Sequence, residues 1–195
     1  DFAITVANVN DAPTVANAIP DQSATEDQAF SFQFASNAFA DVDVGDTLTY
    51  SATLANGDPL PTWLTFNPAT RTFSGTPTNS DVGTVTVRVT ATDGSNASIT
   101  DDFAITVANV NDAPTVANAI PDQSATEDQA FSFQFASNAF ADVDVGDTLT
   151  YSATLANGDP LPTWLTFNPA TRTFSGTPAN GDVGSITVRV TATDG

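Results

Sequence analysis

The sequence contains no cysteine, no histidine and no lysine. Without cysteine there is no disulfide framework and no thiol redox chemistry. Without His, Cys or Lys the usual nucleophile–base pairs cannot be assembled. Paired carboxylates could in principle cleave glycosides, but that needs two acids across a cleft. Short turns between strands offer no such cleft, and no Asp-Thr-Gly or Asp-Ser-Gly signature is present. The chain reads as a non-enzyme. It also lacks any apolar run near the ~18 residues of a membrane span, so no membrane insertion is expected. No signal peptide is visible, because Asp1-Phe2-Ala3-Ile4 opens in mid-pattern.

Positive charge is almost as scarce: four Arg stand against 23 acidic residues, for a net charge of −19. Nucleic-acid affinity rests on Lys and Arg neutralising phosphates, so nucleic acid is excluded as a partner. Anionic membrane surfaces are excluded for the same reason. Such self-repulsion opposes a compact state unless counter-ions bind. Disorder is the other outcome for an acidic chain. A hydrophobic content of 41%, with 14 Phe and two Trp, argues against it. A domain without disulfides needs another clamp, and bound metal is the candidate.

What the chain has is repetition. Asp1–Gly94 recurs as Asp102–Gly195 with four differences: Thr78/Ala179, Ser80/Gly181, Thr84/Ser185 and Val85/Ile186. Units of roughly 100 residues fit one small domain each, and their near-identity suggests an excerpt from a longer array. The expected boundaries are a last strand of a preceding repeat at 1–7, a linker at 8–13 and repeat 1 at 14–107. A second linker at 108–113 leads to repeat 2 at 114–195, which lacks its own last strand.

Strand signals dominate. Ala29–Phe34, Thr47–Leu54, Val85–Ala91 and Phe103–Val107 alternate apolar and polar residues at period two. Thr and Val are stiff at χ1 and suit a pleated surface. Turn signals separate them at Asn56-Gly57-Asp58-Pro59, Asn67-Pro68, Gly75-Thr76-Pro77 and Asp93-Gly94-Ser95-Asn96. About seven short strands per repeat predict an all-β fold, a pair of immunoglobulin-type Greek-key sandwiches. The expected core is Phe30, Phe32, Phe34, Leu48, Tyr50, Leu64, Phe66, Phe73, Val87 and Val89. Trp63, beside Leu64 and Phe66, reads as a core anchor, with sugar stacking as the alternative. Pro114 fixes extended geometry after a linker too short to be a flexible tether.

The sharpest local signal is Asp41-Val42-Asp43-Val44-Gly45-Asp46, repeated as Asp142-Val143-Asp144-Val145-Gly146-Asp147. Alternating Asp residues bring oxygens to one side of a loop, and Gly45 lets it bend. Ca2+ takes six to eight such ligands. The spacing is not an EF-hand, since position twelve is Ala52. A solvated acidic loop is the alternative, but clustered acids raise one another's pKa unless a cation intervenes. Further acids recur at turns: Glu26 and its counterpart Glu127, Asp81, Asp93 and its counterpart Asp194, and Asp11 with its counterpart Asp112. Greek-key topology is expected to turn Glu26 and Asp81 of repeat 1 toward Asp142, Asp144 and Asp194 of repeat 2, with Asn111 and Asp112 between.

The stretches Asp41–Leu54, Leu60-Pro-Thr-Trp-Leu-Thr-Phe66, Phe73-Ser-Gly-Thr-Pro77 and Val89-Thr-Ala-Thr-Asp-Gly94 resemble the dystroglycan-type cadherin-like repeat. That repeat is one of the bacterial immunoglobulin-like modules of large surface and secreted proteins. The resemblance covers nearly all of each repeat. It implies a β-sandwich, Ca2+ binding, an extracellular or cell-surface location and strings of modules in adhesins or polysaccharide-associated proteins. Cadherin-style ligands carry over to Glu26, Asn111, Asp112, Asp142, Asp144 and Asp194. The linker departs from the cadherin pattern, being one residue shorter with Asn109 in place of an acid, so one to three ions per junction are implied.

Two functions follow as expectations. One is a calcium-stiffened spacer or rod whose partners are neighbouring repeats. The other is a carbohydrate-binding or homotypic adhesion module, possible partner a polysaccharide. A last expectation concerns Phe2–Val6, which repeats Phe103–Val107 but precedes the first unit. Either it is donated head-to-tail into the incomplete second unit of another molecule, or a longer array has simply been cut there.

Overall fold

A computed structural model describes residues 1–194. It falls into two units, Asp1–Val110 and Asn111–Gly195. Both are built from strands, with one short 3-10 turn each at Asn79–Asp81 and Asn180–Asp182.

Unit 1 contains β1 (Thr14–Val15), β2 (Gln22–Thr25), β3 (Phe30–Gln33), β4 (Phe39–Ala40), β5 (Thr49–Leu54), β6 (Leu64–Asn67), β7 (Thr72–Gly75), β8 (Gly83–Thr92) and β9 (Ser98–Ala108). One sheet has the order β2-β9-β8-β5 and the other β3-β7-β6, while β1 pairs with β4. All pairings are antiparallel except β2 with β9. The long hairpin β8–β9 turns at Asp93–Ala97 and registers Val87 against Phe103 and Val85 against Ile105.

The inward faces meet in one core. Phe34, Leu64, Phe73, Val87, Val89, Ala91, Phe103, Ile105 and Val107 are buried, with Phe30, Phe32, Leu48, Tyr50 and Phe66 packed against them. Every residue expected in the core of repeat 1 is in it. Rings supply much of the contact: Phe66 and Phe73 stack at 4.5 Å between centroids. Phe103 of β9 meets Phe73 at 5.5 Å and Phe32 at 5.8 Å. Such pairs contribute about 0.5–1.5 kcal/mol each beyond area burial. Trp63 is 8% exposed and packs edge-on to Phe30.

Unit 2 contains β10 (Thr115–Val116), β11 (Phe131–Gln134), β12 (Phe140–Ala141), β13 (Thr150–Leu155), β14 (Leu165–Asn168), β15 (Thr173–Gly176) and β16 (Val188–Thr193). Sheet β11-β15-β14 reproduces β3-β7-β6 residue for residue. The other sheet is reduced to β13-β16. Among the described residues nothing corresponds to β9, and the consequences spread. Gly184–Thr187 forms no strand where Gly83–Thr86 does, and Gln123–Thr126 forms none where β2 does. Val188, Val190 and Ala192 are only half-buried, whereas Val87, Val89 and Ala91 are fully buried. Trp164 is likewise less buried than Trp63.

Residues 1–13 carry no strand pairing, so Phe2–Val6, expected as a strand, stands unpaired. Phe2, Ile4 and Val6 are 79–88% exposed.

Candidate cation site and family

The acidic loop after β4 is shaped by its own side chains. Asp41 Oδ1 accepts the Asp43 N–H at 2.9 Å, an Asx turn that folds the chain back on itself. The Asp46 N–H then donates to the Asp43 carbonyl at 3.3 Å. Gly45 sits between them at φ +99°, where an L side chain would be strained. The turn between β8 and β9 is held by Asp93, whose Oδ1 accepts the N–H groups of Ser95 and Ala97 at 2.8 Å.

The segment before β1 closes over both. The Asp11 N–H donates to Asp43 Oδ2 at 2.8 Å, and Asn10 Nδ2 donates to Asp93 Oδ2 at 3.0 Å. Carboxylate oxygens of Asp41, Asp46 and Asp93 come within 4.8 Å of one another. Asp43 and Asp93 are buried, and Asp41 Oδ2 is shielded without a hydrogen-bond partner.

Unit 2 repeats the arrangement. The Asp112 N–H donates to Asp144 Oδ2 at 2.7 Å, Asn111 Nδ2 to Asp194 Oδ2 at 3.1 Å, and the Asp144 N–H to Asp142 Oδ1 at 3.0 Å. Here oxygens of Asp142, Asp144 and Asp147 lie within 4.8 Å, and Asp142 Oδ2 is again a shielded oxygen without a partner.

The electrostatics are those of crowded like charges. Partial desolvation, then Asp41, Asp43 and Asp93, push the Asp46 carboxyl above its ordinary value. Asp93 moves the other way, held down by the Asn10 amide and by the backbone N–H groups of its turn. The arrangement therefore offers several hard oxygens around one point, some stabilised as carboxylates and one made costly to ionise. The donor set is all oxygen, and a Ca2+-sized cation fits its chemistry.

Glu26 lies elsewhere in unit 1, after β2. It is fully buried, its Oε1 accepts the Val110 N–H at 2.6 Å, and its Oε2 has no partner. Its counterpart Glu127 is exposed, since among the described residues nothing corresponds to the strand and following residues that bury Glu26. Asp81 is used differently from expectation: its Oδ2 accepts the Thr78 N–H and hydroxyl, capping the 3-10 turn. Asp46, Asp147 and Asn10 were not singled out as ligands from the sequence. The first two stand inside the repeated Asp motif, so the signal was present, whereas Asn10 reads as a plain linker residue.

Among the described residues no helix is long and apolar enough to cross a membrane. The chain is 35% identical over 135 residues to the serine-rich adhesin for platelets of Staphylococcus aureus strain MRSA252, and equally to that of strain USA300. Those matches cover 69% of this chain but only 9% and 5% of the adhesins. In structure it resembles mouse cadherin-23 EC22–24, with a TM-score of 0.64 and 20% identity over 95% of this chain and 59% of that one. Protocadherin gamma B7 domains 1–4 give 0.55 and 16% over 94% and 49%. At these identities the likeness establishes the cadherin-like fold. A family profile described as "Putative Ig domain" matches residues 12–108 and again 113–195, and the chain belongs to that immunoglobulin-like family as a tandem of two repeats.

Proposed function

We propose that this chain is a calcium-binding repeat segment that acts as a spacer in an extracellular, cell-surface adhesive protein. One observation carries the reading. In each unit the Asn-Asp pair preceding the first strand is bonded to the loop acids and to the acid of the last turn, and a shielded carboxylate oxygen there has no partner. An ion held by Asp41, Asp43, Asp46 and Asp93, with Asp11, would offset the desolvation and the repulsion that raise Asp46. Asp142, Asp144, Asp147 and Asp194, with Asn111 and Asp112, would serve likewise in unit 2. Glu26, which lies elsewhere in unit 1 and is buried with an orphaned oxygen, would in this reading serve a separate ion. The cation supplies charge neutralisation and crosslinks loop, turn and linker, which stiffens the path of the chain into each repeat.

Adhesion is named through the staphylococcal relatives, and the spacer role through the near-identity of the repeats. The partners are neighbouring repeats of the same protein, joined through linkers or, between separate molecules, by strand donation. Carbohydrate binding through Trp63 is the weaker reading, because that ring is buried in the core of unit 1.

The test is titration with Ca2+ by calorimetry, followed by melting and X-ray scattering with and without chelator. Binding to the native state alone stabilises by about 2.7 kcal/mol at a hundredfold excess over Kd. No heat of binding, and a melt and scattering profile indifferent to chelator, would sink the proposal.

A further inference from the structure

The turn after β5, and its counterpart after β13, each contain an Asp-Pro bond, Asp58–Pro59 and Asp159–Pro160. We infer that each turn is a self-cleavage site, at which the aspartate cuts its own bond to the proline in a single turnover. None of the proposed cation ligands takes part.

The geometry centres on one carbonyl group. The Gly57 N–H donates to the Leu54 carbonyl at 2.9 Å, and the chain doubles back so that the Leu54 N–H donates to the Asp58 carbonyl oxygen at 2.8 Å. That oxygen belongs to the Asp58–Pro59 peptide bond. Asn56 holds Asp58 from two directions. Its Oδ1 accepts the Asp58 N–H at 3.0 Å, and its Nδ2 donates to Asp58 Oδ2 at 2.7 Å. Oδ1 of Asp58 is left without a hydrogen bond among the described residues. Unit 2 repeats the arrangement. The Leu155 N–H donates to the Asp159 carbonyl at 2.8 Å, the Asp159 N–H to Asn157 Oδ1 at 3.0 Å, and Asn157 Nδ2 to Asp159 Oδ2 at 2.7 Å. Residues 56–59 and 157–160 are exposed, so water reaches both bonds.

These parts suit an intramolecular acyl transfer. Attack of Asp58 Oδ1 on the Asp58 carbonyl carbon closes a small ring, with no second molecule to bring up. The oxyanion that forms is the oxygen to which the Leu54 N–H already donates, the placement an oxyanion hole requires. The bond from the carbonyl carbon to the Pro59 nitrogen then breaks. Its electron pair stays on nitrogen, which takes a proton from the acidic solvent; a doubly alkylated prolyl nitrogen accepts that proton more readily than an ordinary peptide nitrogen. The cyclic anhydride left on Asp58 is opened by water to a new carboxyl-terminal aspartate. One water is consumed, and nothing is oxidised or reduced. Asn56 is a positioning residue, since holding Oδ2 restricts the rotation of the attacking carboxylate. After the cut β5 still pairs with β8, and β6 with β7. The nicked unit therefore keeps both sheets but loses covalent continuity, and becomes a joint that parts when the unit unfolds.

The experiment incubates the 195-residue chain at mildly acidic pH, folded and in denaturant, and follows fragments by denaturing electrophoresis and mass spectrometry. Fragments 1–58, 59–159 and 160–195 are expected, at least about tenfold faster from the folded chain, because the turn preorganises the oxyanion donor. Under native conditions each cut should add one water to the mass of a particle that stays together. Asp58→Ala and Pro59→Ala should each abolish the first cut and leave the second, which serves as the reference within the same molecule. Asn56→Ala should slow the first cut in the folded chain and leave its rate in denaturant unchanged. A chain that stays intact, equal rates folded and denatured, a first cut that survives Asp58→Ala, or a folded rate indifferent to Asn56→Ala overturns the inference.

Discussion

Gly75 closes β7 opposite Leu64 of β6, and the backbone of Trp63 runs directly over its Cα. A Cβ built there would lie 1.7 Å from the Trp63 carbonyl oxygen and 2.8 Å from its carbonyl carbon. Neither atom is the end of a flexible side chain, so Gly75→Ala cannot be accommodated by a rotamer change. The β6 end of the sheet must retreat by more than an ångström. That retreat strains the Leu64–Gly75 pairing and lifts Trp63 away from Phe30, which it meets at 6.0 Å.

Overpacking of this kind costs about 1–3 kcal/mol. Loss of one or two ladder hydrogen bonds adds about 0.5–1.5 kcal/mol each. A total of about 3 kcal/mol is a large part of a small domain's stability, and corresponds to a fall in Tm of roughly 12–24 °C. The assay is thermal melting followed by Trp fluorescence. With Trp164→Phe as background, Trp63 is the only indole and reports unit 1 alone. Gly94→Ala is the control, since nothing lies within 4 Å of its added Cβ. A Gly75→Ala shift of only a few degrees, or one matched by Gly94→Ala, would refute the reasoning.

Other expectations are as direct. In calcium, Asp142→Ala and Asp144→Ala should each lower the melting temperature of unit 2 toward its value in chelator, as differential calorimetry can show. Asp46→Asn should change sign with conditions. In chelator the raised carboxyl means that stability falls as pH rises from the unfolded value, near 3.8, through the folded one; neutralising Asp46 should therefore stabilise unit 1 at neutral pH. In calcium the same change removes a ligand and should destabilise, so melts that move the same way in both conditions refute it. Asp93, held down first by Asn10, contributes stability that is present above the unfolded value and lost as pH falls through the folded one. Asn10→Ala should shrink that acid-side loss in a pH series of melts. Arg88→Ala removes a pair whose side chains are 37% and 38% exposed, and should cost no more than about 1 kcal/mol by denaturant titration, a value salt reduces further.

How much of this was legible depends on the range of the interaction. Period-two alternation placed β3, β5, β8 and β9 to within a few residues, and it named the core face because one register buries all the large residues. β9 in fact begins at Ser98, five residues before the expected Phe103. Its first half, Ser-Ile-Thr-Asp-Asp, carries acids that read as loop. Asp101 and Asp102 are tolerated because one accepts the Ile19 N–H and the other holds Arg88, contacts across the fold that no local window contains. The short strand Gln22–Thr25 was missed for the same reason: Gln-Ser-Ala-Thr has no strand signature, and a parallel partner more than eighty residues away creates it. At the site, the Asp-x-Asp loops were visible as a motif, but Asn10 became part of it only through the bond to Asp93.

The two units sharpen that point into a statement about what a repeat is here. Ninety of the 94 aligned residues are identical, yet one copy buries Glu26, pairs Gln22–Thr25 and seals Val87, Val89 and Ala91, while the other leaves all of their counterparts more open. The four substitutions fall at none of these positions, lying at 179, 181, 185 and 186. What differs is one strand. β9 lies between β2 and β8, so it supplies the only ladder that β2 has among the described residues. It also sets the buried Phe103, Ile105 and Val107 beside the inward side chains of β8. Burying three such side chains stabilises by roughly 1.5–3 kcal/mol each, comparable in sum to the net stability of a small domain. The folding unit is therefore offset from the sequence period: it runs from the strand after one linker to the β9 strand before the next. Unit 2 on its own should melt well below unit 1, and a chain extended through a β9-type strand should bring the two transitions together in calorimetry. Two transitions that coincide without that strand would show that β9 contributes little.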